Sequence, residues 1–494
     1  MITSKIIISL FLILYSKSDI SIDVSQTLTT TDDYTVSDNI ITLKTSSIIY
    51  ELTGTVEGKN IIVSSSCTLK LNTLTLASLS TISPIIINEN VEVTLILSGT
   101  SSLTDTSTNE KDGVIYLNKG AKLTILGDGI LNIIPNKCMA INGTEDTSLI
   151  FNGGTLNIKK EENEDNLNVG GIYLRKEIIF NDGIFNFNIP ITVSEGKPPH
   201  AIDTEGSITI KKGTYNIISK EGKALQAEGN LYIGDKNTND NNLLNINIYS
   251  SDNEGIEAKG IEVYSGTINI KAGGDGINAA NDACNSNCRG NCDCYLKFEG
   301  GEININSEED GIDSNGDITI TGGQIVVLGA SSSEDQPIDQ DGLLTISDAT
   351  VLAGGSYSMG GVKATTSQTS GVYIERVSSG SNLKIYDEYN NEIMNLIAPK
   401  EVNYIYFTYP GNSFSMKLND VEIQTIDPSS LQLDPQQPGG PGRPGDNPNN
   451  PAQPPDFRTD INTDSSSDIG KDSSSFYNFE RISYILFLFG IIII

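Results

Sequence analysis

A short phrase that returns along the middle of the chain most constrains how it can fold. In its clearest copies an acidic residue is followed by Gly, then Ile, then a second polar or acidic residue, as in 254–257, 275–278 and 310–313. Looser copies begin at residues 200, 223 and 336. Each copy precedes a strand-like run, a Gly-containing turn and a second strand-like run. Repeats of this length, built from short strands and turns, are typical of a solenoid.

Alternation of apolar and polar residues continues well beyond the clear copies. It is present in 122–126, 155–159 and 302–306, whereas no long segment has the three-to-four spacing of an amphipathic helix. The sequence therefore predicts an all-β fold, a right-handed parallel β-helix (solenoid) that occupies residues 19–355. Residues 356–426 lose the repeat, and we expect them to form a small C-terminal β module that caps the exposed end of the stack.

One aliphatic residue from each copy is expected to stack inside this fold. The Gly before it would permit a tight corner in which a Cβ atom would clash. The predicted aliphatic column consists of Ile202, Leu225, Ile256, Ile277, Ile312 and Ile338.

The charge of the chain limits its partners. With 32 basic and 63 acidic residues the formal net charge is −31, which argues against nucleic acid, because phosphate neutralisation needs Lys and Arg. Most of these acids are read as a solvated surface, and those of the repeat as candidate cation ligands. His200 is the one histidine, so the sequence does not predict a His-rich zinc site, and we interpret this residue as structural.

The two ends of the chain indicate a cell-surface protein. Residues 1–18 read as a secretory signal peptide, and residues 427–475 as a disordered stalk rich in Pro, Gly and Ser. Residues 476–494 end in an apolar run too short for a standard spanning helix and match a GPI-type signal. A short C-terminal anchor without lipid is the alternative. The membrane is expected to be contacted only through this anchor.

Secretion also guides the interpretation of a sequon and of the cysteines. Asn142 begins an N-glycosylation sequon. Cys67 and Cys138 lie in distant repeats and are interpreted as free core thiols. Four cysteines in one loop are expected to form two disulfides, with three pairings possible and a zinc knuckle as the alternative. These are Cys284, Cys288, Cys292 and Cys294.

Several segments taken in order resemble a known family. The runs 310–323, 337–346 and 353–356, with the copies at 223–229 and 276–280, resemble carbohydrate-binding-domain-containing β-helix proteins of cellulose- and pectin-degrading bacteria. The likeness covers roughly residues 40–425. It implies a right-handed parallel β-helix similar to pectate lyases, with calcium along one edge and binding of cellulose and polygalacturonate.

The resemblance also implies which residues hold calcium. The acidic positions of the family fall here on Glu254, Glu257, Asp275, Asp310, Asp313 and Asp339. The chain departs from the pattern at Gln226, Asn278 and Gln336, which would leave fewer charges around an ion. Asp203, in a looser copy, and Asn278, which offers an amide oxygen, complete the predicted set of calcium ligands.

Elementary electrostatics gives a separate reason to expect a cation. Carboxylates stacked about 5 Å apart repel one another by roughly 3 kcal/mol per pair at an effective dielectric constant near 20. Calcium accepts about six to eight oxygen ligands in loose geometry, so an Asp and Asn ladder could hold it and remove this strain. The alternative is that each Asp or Asn accepts hydrogen bonds from turn amides. The two roles are compatible in different repeats.

We therefore predict a monomeric, non-catalytic, calcium-dependent binder of a plant-type or cell-wall polysaccharide, either pectin (polygalacturonate) or cellulose. Bridging calcium suits an anionic glycan. A neutral glucan would use an aromatic platform, for which a chain without Trp offers residues such as Tyr215, Tyr232, Tyr249 and Tyr264. One alternative is a calcium-dependent pectate lyase with Lys223, or Lys259, as the base. The other is a structural or adhesive wall protein.

Overall fold

The computed structural model describes residues 19–426, apart from 80, 107–111, 161–169, 191–197, 239, 281–292 and 332–334. In this part of the chain the fold is all-β, as expected. It has one large, mostly parallel sheet, a four-stranded antiparallel sheet, and two single-turn 3-10 helices at Asn241–Leu243 and Ser358–Gly360. No helix within the described ranges is long and apolar enough to cross a membrane.

The strands of the large sheet follow one another in three parallel series, and each strand pairs with its counterpart one repeat later. The first series carries the repeated phrase. It consists of Ile40–Leu43, Asn60–Val63, Ile85–Ile87, Gly113–Leu117, Met139–Gly143, Ile172–Leu174, Ile202–Thr204, Leu225–Ile233, Ile256–Val263, Ile277–Ala279 and Ile312–Ser314.

The second series begins nearest the N-terminus. Leu225–Ile233 and Ile256–Val263 are long enough to run on from the first series into the second. The other members are Ile20–Asp23, Ile49–Glu57, Cys67–Ser78, Glu92–Ser98, Lys122–Gly127, Ser148–Phe151, Glu177–Phe180, Ser207–Ile210, Tyr295–Phe298, Asp317–Ile320, Leu344–Ile346 and Ala364–Thr366.

The third series is joined to the second through the long strand Cys67–Ser78. The second half of that strand pairs with Thr100–Asp105, the first member of the third series. A separate hairpin strand, Tyr34–Ser37, pairs antiparallel with Ile40–Leu43 near the N-terminus. The third series consists of Thr100–Asp105, Ile130–Ile134, Thr155–Lys159, Ile184–Ile189, Gly213–Ser219, Leu244–Ser250, Thr267–Ala272, Glu302–Ser307, Gln324–Leu328 and Thr350–Gly355.

The inward residues of all three series share one apolar core. Alternate residues of each strand point inward, as in Thr155–Lys159, where Leu156 and Ile158 are buried. The predicted aliphatic column is confirmed, because each member pairs with the next and all six are buried. The pairs are Ile202 with Leu225, Leu225 with Ile256, Ile256 with Ile277, Ile277 with Ile312, and Ile312 with Ile338.

The strand pairing changes from parallel to antiparallel after Thr366. Tyr404–Tyr409 pairs antiparallel with Thr350–Gly355, and Thr369–Tyr373 pairs antiparallel with Tyr404–Tyr409. The four-stranded sheet has the order Glu392–Ile397, Asn382–Asp387, Phe414–Leu418, Val421–Ile426.

This small sheet has a core of its own, formed with outward residues at the end of the third series. Val326, Leu328 and Leu352 pack with buried residues of the small sheet such as Ile385 and Phe414. The module thus covers the large sheet where outward positions become apolar. The predicted signal peptide, stalk and GPI-type segment lie outside the described residues.

Candidate functional site

Two columns of polar residues flank the buried aliphatic column of the first series. We call the position two residues before the aliphatic residue the leading column, and the position one residue after it the trailing column. The leading column is His200, Lys223, Glu254, Asp275, Asp310 and Gln336. The trailing column is Asp203, Gln226, Glu257, Asn278, Asp313 and Asp339.

In the three clearest copies, glycine lies between the leading residue and the aliphatic residue, at Gly255, Gly276 and Gly311, where neighbouring repeats approach closely. A Cβ atom on Gly276 would lie 2.2 Å from Ile305 Cγ2 and 2.5 Å from the carbonyl oxygen of Gly311. The amide of Gly276 donates to the carbonyl oxygen of Asp310 at 3.0 Å. The close approach therefore sets the acids of the leading column one above another.

At the C-terminal end of the two columns, three carboxylates converge. Asp310, Asp313 and Asp339 each have an oxygen within 4.8 Å of the others, and all three side chains are half-buried. At this separation each pair of negative charges repels by roughly 3 kcal/mol at an effective dielectric constant near 20. The structure thus brings together three of the predicted ligands in a geometry that favours a bound cation.

Burial and mutual repulsion raise the pKa values of these acids. Burial, followed by the charges of Asp313 and Asp310, raises the pKa of Asp275 to about 8. Burial is also the main reason that the pKa values of Asp310 and Asp313 rise to about 7, and the Asp339 charge adds to both shifts. Without a cation, Asp275, Asp310 and Asp313 are therefore partly protonated at neutral pH.

Some of these acids also accept hydrogen bonds from the next repeat. The amide of Asp310 donates to Asp275 Oδ1 at 2.9 Å, and the amide of Gln336 donates to Asp310 Oδ1. Asp339 Oδ1 accepts from the Gln340 amide at 2.9 Å and from Gln336 Nε2 at 3.1 Å. The alternative role of capping amides therefore operates at the same levels, and it leaves the second oxygen of Asp310 for other partners.

Several buried oxygens of the columns accept no hydrogen bond from the described residues. They are Gln226 Oε1, Glu254 Oε2 and Asn278 Oδ1. A buried acceptor without a donor is costly, and oxygen acceptors without donors are the ligands that hard cations use. The donor set of the columns, made of carboxylate and amide oxygens, therefore fits calcium chemically.

Lys223 compensates the next acids toward the N-terminus. Its Nζ lies 2.5 Å from Glu257 Oε1 and 4.0 Å from Glu254 Oε2. Burial raises the pKa of Glu257 even so. These contacts make Lys223 the ion-pair partner of two acids of the columns. Lys259, the other candidate base, lies 3.5 Å from Asp293.

The structure places the remaining predicted residues away from the three-carboxylate group. Asp203 is separated from Glu257 by Gln226 in the trailing column, and burial, followed by the charge of Glu228, raises its pKa to about 7. His200 Nδ1 accepts from the Lys223 amide at 2.9 Å, which is a structural contact. Asn142 is half-buried, and its Nδ2 donates to the carbonyl oxygen of Asp112 at 2.7 Å.

The cysteine predictions have separate outcomes. Cys67 and Cys138 are buried and neither is in a disulfide, as expected. Cys294 is buried, whereas Cys284, Cys288 and Cys292 lie outside the described residues. The disulfide pairing therefore stays a prediction.

The tyrosines named as a possible aromatic platform do not form a single exposed surface. Tyr215 is fully buried and stacks on Phe185, with ring centroids 4.5 Å apart. Tyr264 donates its hydroxyl to Glu262 at 2.5 Å, and Tyr295 donates to the other oxygen of Glu262 at 2.8 Å. These rings therefore belong to the core or to a hydrogen-bonded cluster on the second series.

One regular feature was not predicted from the sequence, a ladder of asparagine side chains on the third series. Each amide donates to the amide oxygen of the Asn one repeat earlier, at 2.8–3.1 Å. The signal was present as an Asn that recurs between two apolar residues of each strand. The ladder consists of Asn132, Asn157, Asn186, Asn216, Asn247, Asn269 and Asn304.

Comparison with known proteins identifies the family. The model of the family described as "Carbohydrate-binding domain-containing protein" matches residues 37–242 and 240–375. These ranges make up more than half of the chain, which therefore belongs to this family. No curated protein matches the sequence.

Among solved structures, the chain is similar to the polysaccharide lyase-like protein from C. thermocellum, determined as a gadolinium derivative. The two are 16% identical, and the match covers 67% of this chain and 96% of that chain with a TM-score of 0.24. A likeness at this TM-score defines neither the fold nor the function of the present chain.

Proposed function

We propose that this protein binds a polysaccharide through calcium held by the leading and trailing columns, and that it does so without cleaving the glycan. The observation that carries the proposal is the convergence of Asp310, Asp313 and Asp339 within 4.8 Å. Membership of a carbohydrate-binding family supports the ligand class. The raised pKa values of Asp310 and Asp313 support the cation, because a bound positive charge would remove the repulsion that contributes to them.

The residues of the two columns have separate roles in this proposal. Asp310, Asp313 and Asp339 would hold the ion, and the amide oxygen of Asn278 would face it from the neighbouring repeat. Bound calcium supplies positive charge and open coordination positions to which glycan oxygens can bind. A chain with a net charge of −31 repels polygalacturonate, so the cation reverses the sign of the interaction at this edge. The preferred ligand is therefore an anionic glycan of the pectin type.

The fold inferred with this function is a right-handed parallel β-helix. The three parallel series and their common core support it, because a chain that visits three series in turn and returns to the first must coil. A coil of this kind repeats its outward residues at about 4.8 Å, the distance between paired strands. Residues at the same position of successive repeats are therefore stacked in columns, which would give the calcium-binding edge its regular spacing.

We further propose that the protein acts as a monomer on the cell surface. A cleaved signal peptide, a stalk and a GPI-type anchor would display it, and Asn142 would carry a glycan. The order of these segments in the sequence supports this arrangement.

Retention on immobilised polygalacturonate tests the proposed function. We expect the purified protein to be retained in millimolar calcium and released by EDTA, with no unsaturated product absorbing in the ultraviolet. Asp313→Asn should weaken retention at least tenfold, because it removes one carboxylate of the group. Asp128→Asn removes an exposed acid elsewhere and should change nothing.

Two outcomes would contradict the proposal. Equal retention of the wild-type protein with calcium and with EDTA would remove the role of the cation. Growth of ultraviolet absorbance that Lys223→Ala abolishes would make the protein a lyase.

A further inference from the structure

The outward face of the third series is unlike the rest of this acidic protein. We consider three outward residues on each of eight strands, from Thr100–Asp105 to Glu302–Ser307. The middle residues are Ser102 followed by the seven asparagines of the ladder. The flanking residues are mostly Thr, Asn and Ile, with Lys159, Tyr249 and Lys271 among them. Glu302, on the last strand, is the single acid among them. We call this surface the amide face.

The ladder leaves regular hydrogen-bonding groups at the amide face. A side-chain amide has two N–H donors and an oxygen with two lone pairs. Each interior Asn spends one N–H and one lone pair on its neighbours. One donor and one acceptor per residue remain, and the side chains are half-buried, so they reach solvent. The spare groups repeat once per strand, at about 4.8 Å.

Apolar groups flank the ladder on both sides. Ile184, two residues before Asn186, is 46% exposed, and Ile218, two residues after Asn216, is 44% exposed. Exposed Ile side chains beside a row of amides place apolar and hydrogen-bonding groups within the dimensions of one sugar ring. The hydroxyl edges of a sugar form hydrogen bonds with amides, and its C–H faces pack on aliphatic side chains.

The C-terminal module shows why this part of the face is open. In the column of the ladder, Asn304 pairs with Val326, the first apolar residue after the asparagines. Val326 and Leu328 are covered by the four-stranded sheet, whereas the preceding residues of the face are not part of that core. The module therefore covers the apolar end of this surface and stops where the asparagines begin.

We propose that the amide face is a second glycan-binding site, independent of calcium, for an extended uncharged β-linked polysaccharide. Charged residues are few among the outward positions of this face, namely Lys159, Lys271 and Glu302. This argues for an uncharged ligand, because a neutral chain gains nothing from a charged surface and must displace the water bound to it. Successive asparagines of the ladder lie about 4.8 Å apart, which is about the length of one pyranose unit. Successive sugars of an extended chain can therefore contact equivalent amides. This inference rests on the proposed function in that the ligand is a polysaccharide, but it does not require calcium.

Binding to swollen cellulose and to chitin in EDTA tests this site. The wild-type protein is expected to be retained on at least one of them. The double variant Ile184→Glu/Ile218→Glu should lose at least tenfold in affinity, because it places two carboxylates under the glycan while leaving every Asn in place. Leu343→Glu makes the same change at a residue that is 68% exposed outside the amide face, and it should bind as the wild type does.

The same proteins are assayed on polygalacturonate with calcium, which separates this inference from the proposed function. Both the double variant and the control should keep that retention and the far-ultraviolet circular dichroism of the wild type. Wild-type protein that binds polygalacturonate but neither neutral glycan in EDTA overturns the second site alone. Neutral-glycan binding that survives in the double variant overturns the assignment to this face. Sedimentation that shows a dimer broken by the double variant would instead make the face a contact between copies.

Discussion

Asp275 shows how a single residue serves both the fold and the proposed cation site. Its Oδ1 accepts from the Asp310 amide at 2.9 Å, and its Oδ2 accepts from Asn278 Nδ2 at 3.2 Å. The first bond joins two successive repeats, and the second joins the leading and trailing columns within one repeat. Burial nevertheless raises its pKa to about 8, and the charges of Asp313 and Asp310 add to the shift. The carboxylate is well placed by its hydrogen bonds and destabilised by its neighbours, which is the state that a bound cation would relieve.

The raised pKa values predict an unusual pH dependence of stability in the absence of calcium. Asp275, Asp310 and Asp313 have folded-state pKa values of about 8, 7 and 7 against 3.8 as the ordinary value, so the folded state binds more protons. Their stabilising contribution is complete below pH 3.8 and is lost as the pH rises through 7 to 8. We therefore expect the midpoint temperature of thermal unfolding in EDTA to decrease as the pH rises from about 5 to about 8.

A matched variant checks the origin of this pH dependence. Asp275→Asn keeps an oxygen for the Asp310 amide and removes the charge, so its thermal midpoint in EDTA should exceed that of the wild type at pH 8. Saturating calcium should restore the wild-type midpoint at the same pH. A wild-type midpoint that is constant or rises between pH 5 and pH 8 in EDTA would contradict the account.

At the scale of the strand, two kinds of ladder follow from the same spacing. Parallel pairing in register places like residues one above another at about 4.8 Å. In the first series this stacks carboxylates, which repel. In the third series it stacks amides, each of which is both a donor and an acceptor, so the same stacking stabilises the sheet.

The asparagine ladder predicts that the cost of a substitution depends on its position. Asn247→Ala removes two side-chain hydrogen bonds, to Asn216 and from Asn269. Asn132→Ala, at the end of the ladder, removes only the bond from Asn157. We expect a loss of about 1–3 kcal/mol in the free energy of unfolding for the interior variant and about 0.5–1.5 kcal/mol for the terminal one. Denaturant unfolding measures both losses, and equal losses would contradict the predicted dependence on position.

The sequence was sufficient for some elements because their signal is local. The phrase around Ile256, Ile277 and Ile312 recurs with its glycine, and residue alternation fixes which side chains point inward, so the aliphatic column could be predicted. The asparagine ladder was not predicted because Asn is common in turns. The strands were predicted from their apolar residues, and the Asn between those residues was given no role. The pairing of residues 22 to 35 positions apart along the ladder had to come from the structure.

The candidate site was predictable in composition but not in arrangement. The repeated phrase identifies Asp310, Asp313 and Asp339 as acids of neighbouring repeats. It does not reveal that Lys223 reaches Glu257 and neutralises the levels beside it, because a long side chain can turn toward either neighbouring repeat. The convergence of three carboxylates at one end therefore emerges only once side chains are placed.

At the scale of the whole molecule, charge is distributed unevenly between surfaces. The net charge of −31 keeps the chain soluble and repels acidic polymers. The first series concentrates acids along one edge, whereas the amide face carries a single one on its last strand. The two proposed glycan-binding surfaces therefore differ in their charge and in their expected need for calcium.

Calcium titration by isothermal calorimetry tests the central claim most directly. Calcium ligands must be deprotonated, and carboxyl groups with pKa values of about 7 to 8 carry protons at neutral pH. Calcium binding to the EDTA-treated, dialysed protein should therefore release protons at pH 7. The measured enthalpy should then differ between two buffers of unlike ionisation enthalpy, and the difference should vanish near pH 9. The absence of any heat of calcium binding at either pH would contradict the account.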